Sequence, residues 1–315
     1  MIGCGFIGRH AAAEALRRAV KTTVLTTSPP GVALAEELDG VRWVIGDAGV
    51  PAVLGTAMEE VDHVLWCAGG LLPSSSVRDP WTDATRALRP LLATLDALRD
   101  FPGVTFSYLS SGGTVYGVPT RLPIPEDHGC EPITPYGVTK LAAEKYIGMH
   151  VRLHGLRAHI LRCGNVYGEH QPADRGQGAV AAFLDCALNG RPVVLFGDGS
   201  VTRDYIHVAD TVQVMFDLLS CDEVPPVLNV GSGVGTSLAE LLDVVREETG
   251  WTMPIDRLPA RSFDVPQVVL DISRLRALID VRPRDLRSGI RQVWSAQLGT
   301  EDRAETTSAL EVAAG

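Results

Sequence analysis

The stretch Ser107-Tyr-Leu-Ser-Ser-Gly-Gly-Thr-Val-Tyr-Gly117 decides how the rest of the chain can be arranged. The apolar run from Val104 to Leu109 has the length and composition of a buried strand. It leads into residues 110–114, a turn that offers hydroxyl groups without bulk. The sequence therefore predicts a buried strand that ends in a polar turn, where the hydroxyl groups can hold a substrate oxygen.

A Pro-rich loop separates this turn from a predicted helix. The helix begins at Thr134 and Pro135, an N-cap residue followed by a first-turn proline. It carries Tyr136 and Lys140, which are four residues apart and therefore share one face. A free phenol titrates near pH ~10, and a close positive charge favours its ionised form. Because lysine occurs only at positions 21, 140 and 145, chance pairing at this spacing is rare. We interpret Tyr136 and Lys140 as a catalytic acid/base pair.

A Gly-x-Gly-x-x-Gly motif spans residues 3–8, in front of an Ala-rich predicted helix from Arg9 to Val20. Such a motif allows a tight turn and brings the backbone close to a pyrophosphate at a helix N-terminus. The cofactor-binding residues predicted here are Gly3, Gly5, Phe6, Ile7 and Gly8. Only Met1 and Ile2 precede the motif, which is short for a first strand. We therefore expect a misplaced start codon or a trimmed chain.

Three further apolar runs alternate with predicted helices, at residues 22–27, 41–45 and 61–67. Strands that alternate with helices indicate an α/β fold with a doubly wound, Rossmann-like parallel sheet. The second strand ends in Thr26 and Thr27 instead of the acidic residue that usually holds the adenine ribose. NAD is the predicted cofactor, and the two threonines are also compatible with NADP. Asp47 either bonds the adenine amino group or caps a helix. Ala68 and Gly69 are small enough for a dinucleotide to pass closely.

The chain changes character beyond about residue 168. We predict that residues 1–168 form mainly the dinucleotide-binding domain and residues 169–298 mainly a smaller α/β cap that binds the substrate, with the chain crossing between them. The elements predicted in the cap include helices at 176–188 and 237–248 and strands at 192–196, 227–230 and 268–270. The polar tail, residues 299–315, is predicted to be disordered.

The composition is that of a globular enzyme, with 45% hydrophobic residues, 21% charged residues and a net charge of −10. The negative charge and the lack of a basic cluster argue against a nucleic-acid partner. Six scattered cysteines without a Cys-x-x-Cys pair indicate a reduced, cytoplasmic protein and predict no metal site. The sequence shows neither a secretory signal nor an apolar span of membrane-crossing length, so we expect no membrane association.

Four motifs resemble those of the extended short-chain dehydrogenase/reductases, at residues 110–117, 136–140, 165–168 and 203–208. Within that family the nucleotide-sugar epimerase/dehydratase group is most similar, and its UDP-hexose 4-epimerases above all. The resemblance extends from Gly3 to about Trp294. It implies that Tyr136 is the acid/base, and that Lys140 orients the nicotinamide ribose and lowers the pKa of Tyr136. It also implies a nucleotide-sugar substrate held by Asn165, Arg203, Arg261 and Asp264. We further expect a homodimer.

The chain departs from the family pattern at Gly112, where the catalytic Ser or Thr usually stands. We expect Ser111 or Thr114 to supply that hydroxyl. A nucleotide-sugar 4-epimerase is the leading hypothesis. An NAD(P)H-dependent 4-ketoreductase of nucleotide-deoxysugars and a non-catalytic dinucleotide-binding protein remain as alternatives. A dehydratase is disfavoured, because Gly113 and Thr114 stand where similar dehydratases place an Asp-Glu pair.

Val268 lies four residues after Asp264, at a position that in the resembling epimerases helps to gate the sugar's C2 substituent. A residue as small as valine predicts a pocket that admits N-acetylhexosamine nucleotides at least as well as plain hexose nucleotides. The alternative is that Val268 only starts a strand, since Val-Val-Leu is β-prone.

Overall fold

The computed structural model describes residues 1–173, 178–221, 223–252, 254–261 and 264–313, with the backbone alone from residue 300 onwards. The strands are β1 Thr23–Thr26, β2 Arg42–Ile45, β3 His63–Trp66, β4 Thr105–Ser111, β5 Arg157–Cys163, β6 Asn165–Tyr167, β7 Val193–Phe196, β8 Thr202–His207, β9 Val227–Val230, β10 Gly235–Ser237 and β11 Ile255–Leu258.

The helices are α1 Phe6–Arg17, α2 Val32–Glu37, α3 Pro51–Ala57, α4 Pro73–Ser76, α5 Pro80–Ala97, α6 Pro135–His154, α7 Ala179–Leu188, α8 Val208–Asp217, α9 Leu238–Thr249, α10 Ser273–Leu278 and α11 Leu286–Ala313. Short 3₁₀ turns follow α5 and α8. The predicted helix near residues 176–188 corresponds to α7, and the start of that range lies outside the described residues.

The main sheet is parallel and doubly wound. β3, β4, β5 and β9 lie side by side, and β1 pairs with β2. Ile2 joins the two groups by forming bridges to Leu25 of β1 and to Trp66 of β3. The chain therefore runs outward from Ile2 in one direction through β1 and β2, and in the other direction through β3. Crevices at such a switch point, outside the carboxyl ends of the strands, are where α/β sheets bind ligands.

Helices cover both faces of this sheet, which is why its central strand β4 is buried from Phe106 to Ser110. On one face, apolar residues of α1 and α8 pack against β5 and β9. On the other face, α3, α5 and α6 pack against β3 and β4. These packing layers fix the starts of α1 and α6 at the edge of the sheet where the strands end.

The second half of the chain forms smaller sheets of its own. β8 lies between β6 and β10, and β7 pairs with β11. A separate apolar cluster joins α7, α9 and α11 beneath them. The chain crosses between the halves, because β6, which precedes residue 168, pairs with β8, and β9 returns to pair with β5 in the main sheet.

One predicted element differs from the structure. Val268–Leu270 is not a regular strand: Gln267 and Leu270 form single bridges to Thr202 and Ile124. The backbone of α11 extends as far as Ala313, and the disorder predicted for residues 299–315 stays a prediction. Of the helices that the structure describes, none combines the length and the hydropathy needed to cross a membrane.

Candidate active site

The glycine motif folds into a loop between the position of Ile2 and α1. Gly3 has a φ of 93°, and a Cβ there would lie 2.6 Å from the Ala68 nitrogen. A Cβ on Gly8 would lie 2.2 Å from the Gly3 oxygen. Larger residues at either position would force the loop open. The same is not true of Gly5 and Gly69, which face open space with no atom within 4 Å of an added Cβ.

That open space lies at the N-terminus of α1. Gly5 is the N-cap residue and has no side chain to satisfy the first N–H groups of the helix. Phe6 and Ile7 therefore begin α1 with backbone donors that can bind an anion. The loop fits a dinucleotide diphosphate, with Ala68 and Gly69 forming the opposite wall.

Asp47 lies in a turn after β2. One carboxylate oxygen accepts a hydrogen bond from the Gly49 N–H at 2.7 Å, and the other is paired with Arg89. Asp47 thus stabilises its own turn in the way that a cap does. Its predicted contact with an adenine amino group stays a prediction.

Tyr136 and Lys140 lie on the first turns of α6, as predicted. Thr134 is the N-cap residue, and its Oγ1 accepts a hydrogen bond from the Gly137 N–H at 3.2 Å. The Tyr136 N–H donates to the Ser76 Oγ of α4 at 3.1 Å. Lys140 is only 8% exposed. Its Nζ donates to the Leu109 oxygen at 2.7 Å and lies 5.8 Å from the centre of the Tyr136 ring.

Burial controls the ionisation of this pair. It lowers the pKa of Lys140 to about 8, because a buried ammonium loses hydration. It raises the pKa of Tyr136, and the negative charge of Asp83 adds to that effect. The family resemblance implies a lowered tyrosine pKa, whereas burial shifts the pKa of Tyr136 upward.

The packing around the turn after β4 explains why residue 112 is a glycine and not a serine. A Cβ on this residue would lie 2.7 Å from Leu270 Cδ1 and 3.0 Å from the Arg162 oxygen. The side chain of Leu270 thus occupies the space that a serine would need. Ser111 is half-buried, whereas Thr114 Oγ1 is buried and has no hydrogen-bond partner among the described residues. Asn165 Oδ1 faces the same turn, 3.3 Å from a Cβ placed on Gly113.

This difference gives a prediction for the two candidate hydroxyls. Ser111→Ala is expected to reduce turnover about tenfold or more, the effect of losing one hydrogen bond of about 1.5 kcal/mol. Thr114→Val should have a smaller effect, because the hydroxyl of Thr114 is sealed from solvent. Steady-state assays of both variants measure the two losses. Negligible and equal effects would show that neither hydroxyl positions the substrate.

Arg203, on β8, is a half-buried cation. Its Nη1 donates to the backbone oxygens of Thr202 and Val265, at 2.9 and 2.6 Å. Burial lowers the pKa of Arg203. Among the described residues it has no carboxylate within ion-pair distance, so an anionic ligand would complete its surroundings.

Asp204, next in sequence, holds this region together. Its carboxylate accepts hydrogen bonds from Ser232, Gly233 and the Leu270 N–H. Arg203, the loop after β9 and the segment around Leu270 are therefore fixed relative to one another.

Arg261 and Asp264 pair with each other through two hydrogen bonds, of 2.9 and 3.0 Å. The Arg261 guanidinium also lies 4.6 Å from the centre of the Phe196 ring, at the end of β7. Val268 lies nearby in sequence but is only 1% exposed and packs in an apolar cluster. Its side chain is covered by this cluster, in agreement with a packing role.

The structure adds residues that the sequence analysis missed. Glu144 and Arg162 form a buried ion pair behind the turn, and Ser110 Oγ donates to Glu144 at 2.5 Å. Glu144 follows Lys140 by four residues and so shares its helix face, which is a signal that could have found it. Asp83, at the start of α5, is completely buried beside the Tyr136–Lys140 pair. An aspartate in the first turn of a helix is ordinarily explained by the helix dipole, so the sequence carries no separate signal for a role at this site.

Together, the glycine loop at the switch point and the Tyr136–Lys140 pair define a dinucleotide-dependent enzyme of the Rossmann class. The chain belongs to the NAD dependent epimerase/dehydratase family, whose sequence profile matches residues 2–231. This confirms the predicted family, the doubly wound α/β fold and NAD as the cofactor.

Relatives of known name are similar to this chain along most of its length. A UDP-glucose 4-epimerase of Mycolicibacterium smegmatis is 32% identical over 250 residues, 79% of each chain. The UDP-glucose 4-epimerase of Thermotoga maritima, solved with UDP-glucose, is 28% identical with a TM-score of 0.88, and covers 95% of this chain and 98% of its own. The enzyme of Thermus thermophilus, solved with NAD, is 31% identical with a TM-score of 0.84, and covers 94% of this chain and 98% of its own.

Proposed function

We propose that the protein is an NAD-dependent nucleotide-sugar 4-epimerase that acts on UDP-hexoses. The observation that carries the proposal is the Tyr136–Lys140 pair on the first turns of α6, where Lys140 is buried against Leu109. The names of the relatives support the reaction and the uridine nucleotide.

In this reaction Tyr136 Oη takes the proton from the 4-hydroxyl of the sugar as the C4 hydride leaves. NAD, when bound, supplies the hydride acceptor and the positive charge that favours the phenolate. Tyr136 then holds the proton while the 4-keto sugar turns over. The phenol returns the proton to O4 when hydride returns to the opposite face of C4, so no net oxidation occurs.

The other residues position the reactants. Lys140 is fixed by Leu109 and can orient both the phenol and a ribose hydroxyl. The half-buried Ser111 can hold the sugar oxygen that exchanges its proton. Arg203 and Asn165 face the diphosphate in this proposal, and the Arg261–Asp264 pair beside Phe196 holds the uridine.

Arg203 provides a direct test of nucleotide binding. Arg203→Ala is expected to weaken UDP binding about tenfold to a hundredfold, since a hydrogen bond to a charged group contributes about 1.5–3 kcal/mol. Calorimetric titration with UDP measures the loss. Arg191→Ala, which removes an exposed arginine paired with Asp185, is the matched control. Equal affinities of the wild type and Arg203→Ala for UDP would show that Arg203 does not bind the nucleotide.

The assay that tests the function is interconversion of UDP-glucose and UDP-galactose without added cofactor. An epimerase returns its hydride and needs only the NAD that copurifies. Consumption of one NADPH per turnover would instead indicate the 4-ketoreductase, which Thr26 and Thr27 would accommodate. Absence of both activities in a protein that binds NAD and UDP would favour the non-catalytic alternative.

The sugar preference is part of the same proposal. We expect the enzyme to accept UDP-N-acetylhexosamines as well as UDP-hexoses, because Val268 adds little bulk. The burial of Val268 means that other residues can also set this preference. Parallel assays with both classes of nucleotide sugar decide the matter.

We also propose a cytoplasmic homodimer. Large apolar side chains exposed on α5 and α6 support the dimer: Trp81, Val138 and Leu153. Free cysteines throughout the described residues support a reducing compartment.

A further inference from the structure

Asp83 is a buried carboxylate with an unusual environment. It lies in the first turn of α5 and is 0% exposed. Its Oδ1 accepts a hydrogen bond from the Leu71 N–H at 2.9 Å. Gly70 packs directly against it, because a Cβ on that glycine would lie 2.7 Å from Oδ1. Asp83 therefore fixes the loop that follows β3, directly after Ala68 and Gly69, which form one wall of the dinucleotide site.

The second oxygen of Asp83 has no such role. Oδ2 is buried and has no hydrogen-bond partner among the described residues. A buried carboxylate with an unmet oxygen is costly, and an asparagine could accept the Leu71 hydrogen bond without carrying a charge. The N-terminus of α5 offsets only part of this cost. The hydrogen bond to Leu71 therefore does not explain why this residue carries a negative charge.

Packing links Asp83 to the catalytic pair. α5 and α6 pack against each other, and α4, which follows the Leu71 loop, holds the start of α6 through the hydrogen bond from Tyr136 to Ser76. The negative charge of Asp83 favours the ammonium form of Lys140 and opposes the phenolate form of Tyr136. Lys140 needs this support, because its Nζ is buried and hydrogen-bonds a neutral backbone oxygen.

We propose that Asp83 is a positioning residue of the active site, whose buried carboxylate both anchors the loop after β3 through Leu71 and keeps the neighbouring Lys140 charged. It acts through Lys140 and Tyr136 and does not touch the substrate, since Oδ2 is sealed from solvent.

Other titratable groups share this interior. Glu144 on α6 also favours the Lys140 ammonium, but the charge of Glu144 is neutralised by its ion pair with Arg162. Tyr108 on β4, Cys67 after β3 and Cys163 on β5 complete the surroundings. Burial raises the pKa of all three, so they are neutral at physiological pH. Among the described groups around the pair, Asp83 thus supplies a negative charge that no ion pair neutralises.

Asp83→Asn tests the proposal directly. Loss of the charge should lower the pKa of Lys140 by about one pH unit, the scale on which a nearby charge moves a pKa. The chain has three lysines, so NMR of isotope-labelled lysine can follow Lys140 separately. The pKa of Tyr136 should fall as well. Both limbs of the pH profile of kcat/KM should therefore move to lower pH.

The control is Asp96→Asn, which removes the same charge from the exposed end of α5, where the Asp96 side chain is 71% exposed. It should leave the Lys140 titration unchanged. Unaltered titration and an unaltered pH profile in folded Asp83→Asn would overturn the proposal. If Asp83→Asn does not fold, Asp83→Ser provides the second variant, and failure of both to fold would show that Asp83 is purely structural.

The proposal rests on the proposed function only for the pH profile. The NMR titration needs no turnover, so it decides the role of Asp83 even if the epimerase assay fails.

Discussion

Tyr136→Phe is expected to lower epimerase turnover by about 10²–10⁴-fold, the usual contribution of a positioned acid/base. The change removes the phenolic oxygen that carries the proton and leaves the aromatic ring in place. The structure gives a reason to expect little disturbance of the fold. Tyr136 anchors the start of α6 through its backbone N–H to Ser76, and phenylalanine keeps that bond.

The measurement combines the rate of interconversion with the amount of NAD that copurifies. Tyr146→Phe is the matched control, since it makes the same chemical change on an exposed position of α6. It should leave the rate within about twofold, as expected for a surface substitution of under ~0.5 kcal/mol. Wild-type turnover in Tyr136→Phe would refute its role as the acid/base.

Glu144→Ala is expected to lower the free energy of unfolding by about 3–5 kcal/mol, the cost of leaving one partner of a buried ion pair uncompensated. The two side chains of the pair are 6% and 4% exposed, and Arg162 Nε and Nη2 both donate to Glu144. The change also leaves the Ser110 hydroxyl without its acceptor, because this hydroxyl donates to the same carboxylate. Urea denaturation followed by circular dichroism measures the loss.

The comparison for this prediction is Glu60→Ala. It breaks an ion pair with Lys21 in which both side chains are largely exposed, so stability should not change measurably. A double replacement of Glu144 and Arg162 by apolar residues should recover much of the lost stability, because no unpaired charge then remains. A Glu144→Ala protein as stable as the wild type would mean that water reaches the pair.

The local features of the fold could be read from the sequence because their causes are local. Alternating strands and helices, the glycine motif and the N-cap Thr134 each reflect neighbouring residues alone, and the structure confirms them. The Tyr136–Lys140 pair was accessible for the same reason, since helical spacing places both on one face.

The rest depends on contacts between distant parts of the chain. Gly112 looks like a lost catalytic serine until Leu270, far along the sequence, is seen to fill the space beside it. The first-turn aspartate Asp83 gives no sign that it will be completely buried. Val268 stands at the predicted gate position, yet the packing around it decides whether it can touch a sugar. Pairings of this kind follow from the tertiary arrangement and carry no periodic signal.

The return of β9 to the main sheet has a consequence for how this enzyme can be modified. β9 lies in the region predicted to form the substrate-binding cap, but it pairs with β5 in the main sheet. A swap of the whole region beyond residue 168 between relatives would also replace that strand, and removing it would leave the edge of β5 bare and prone to self-association. The region beyond residue 168 is therefore not a unit that can be exchanged without changing the main sheet. Recombination that aims at a new sugar specificity should keep β9 with residues 1–168 and graft the segments on either side of it.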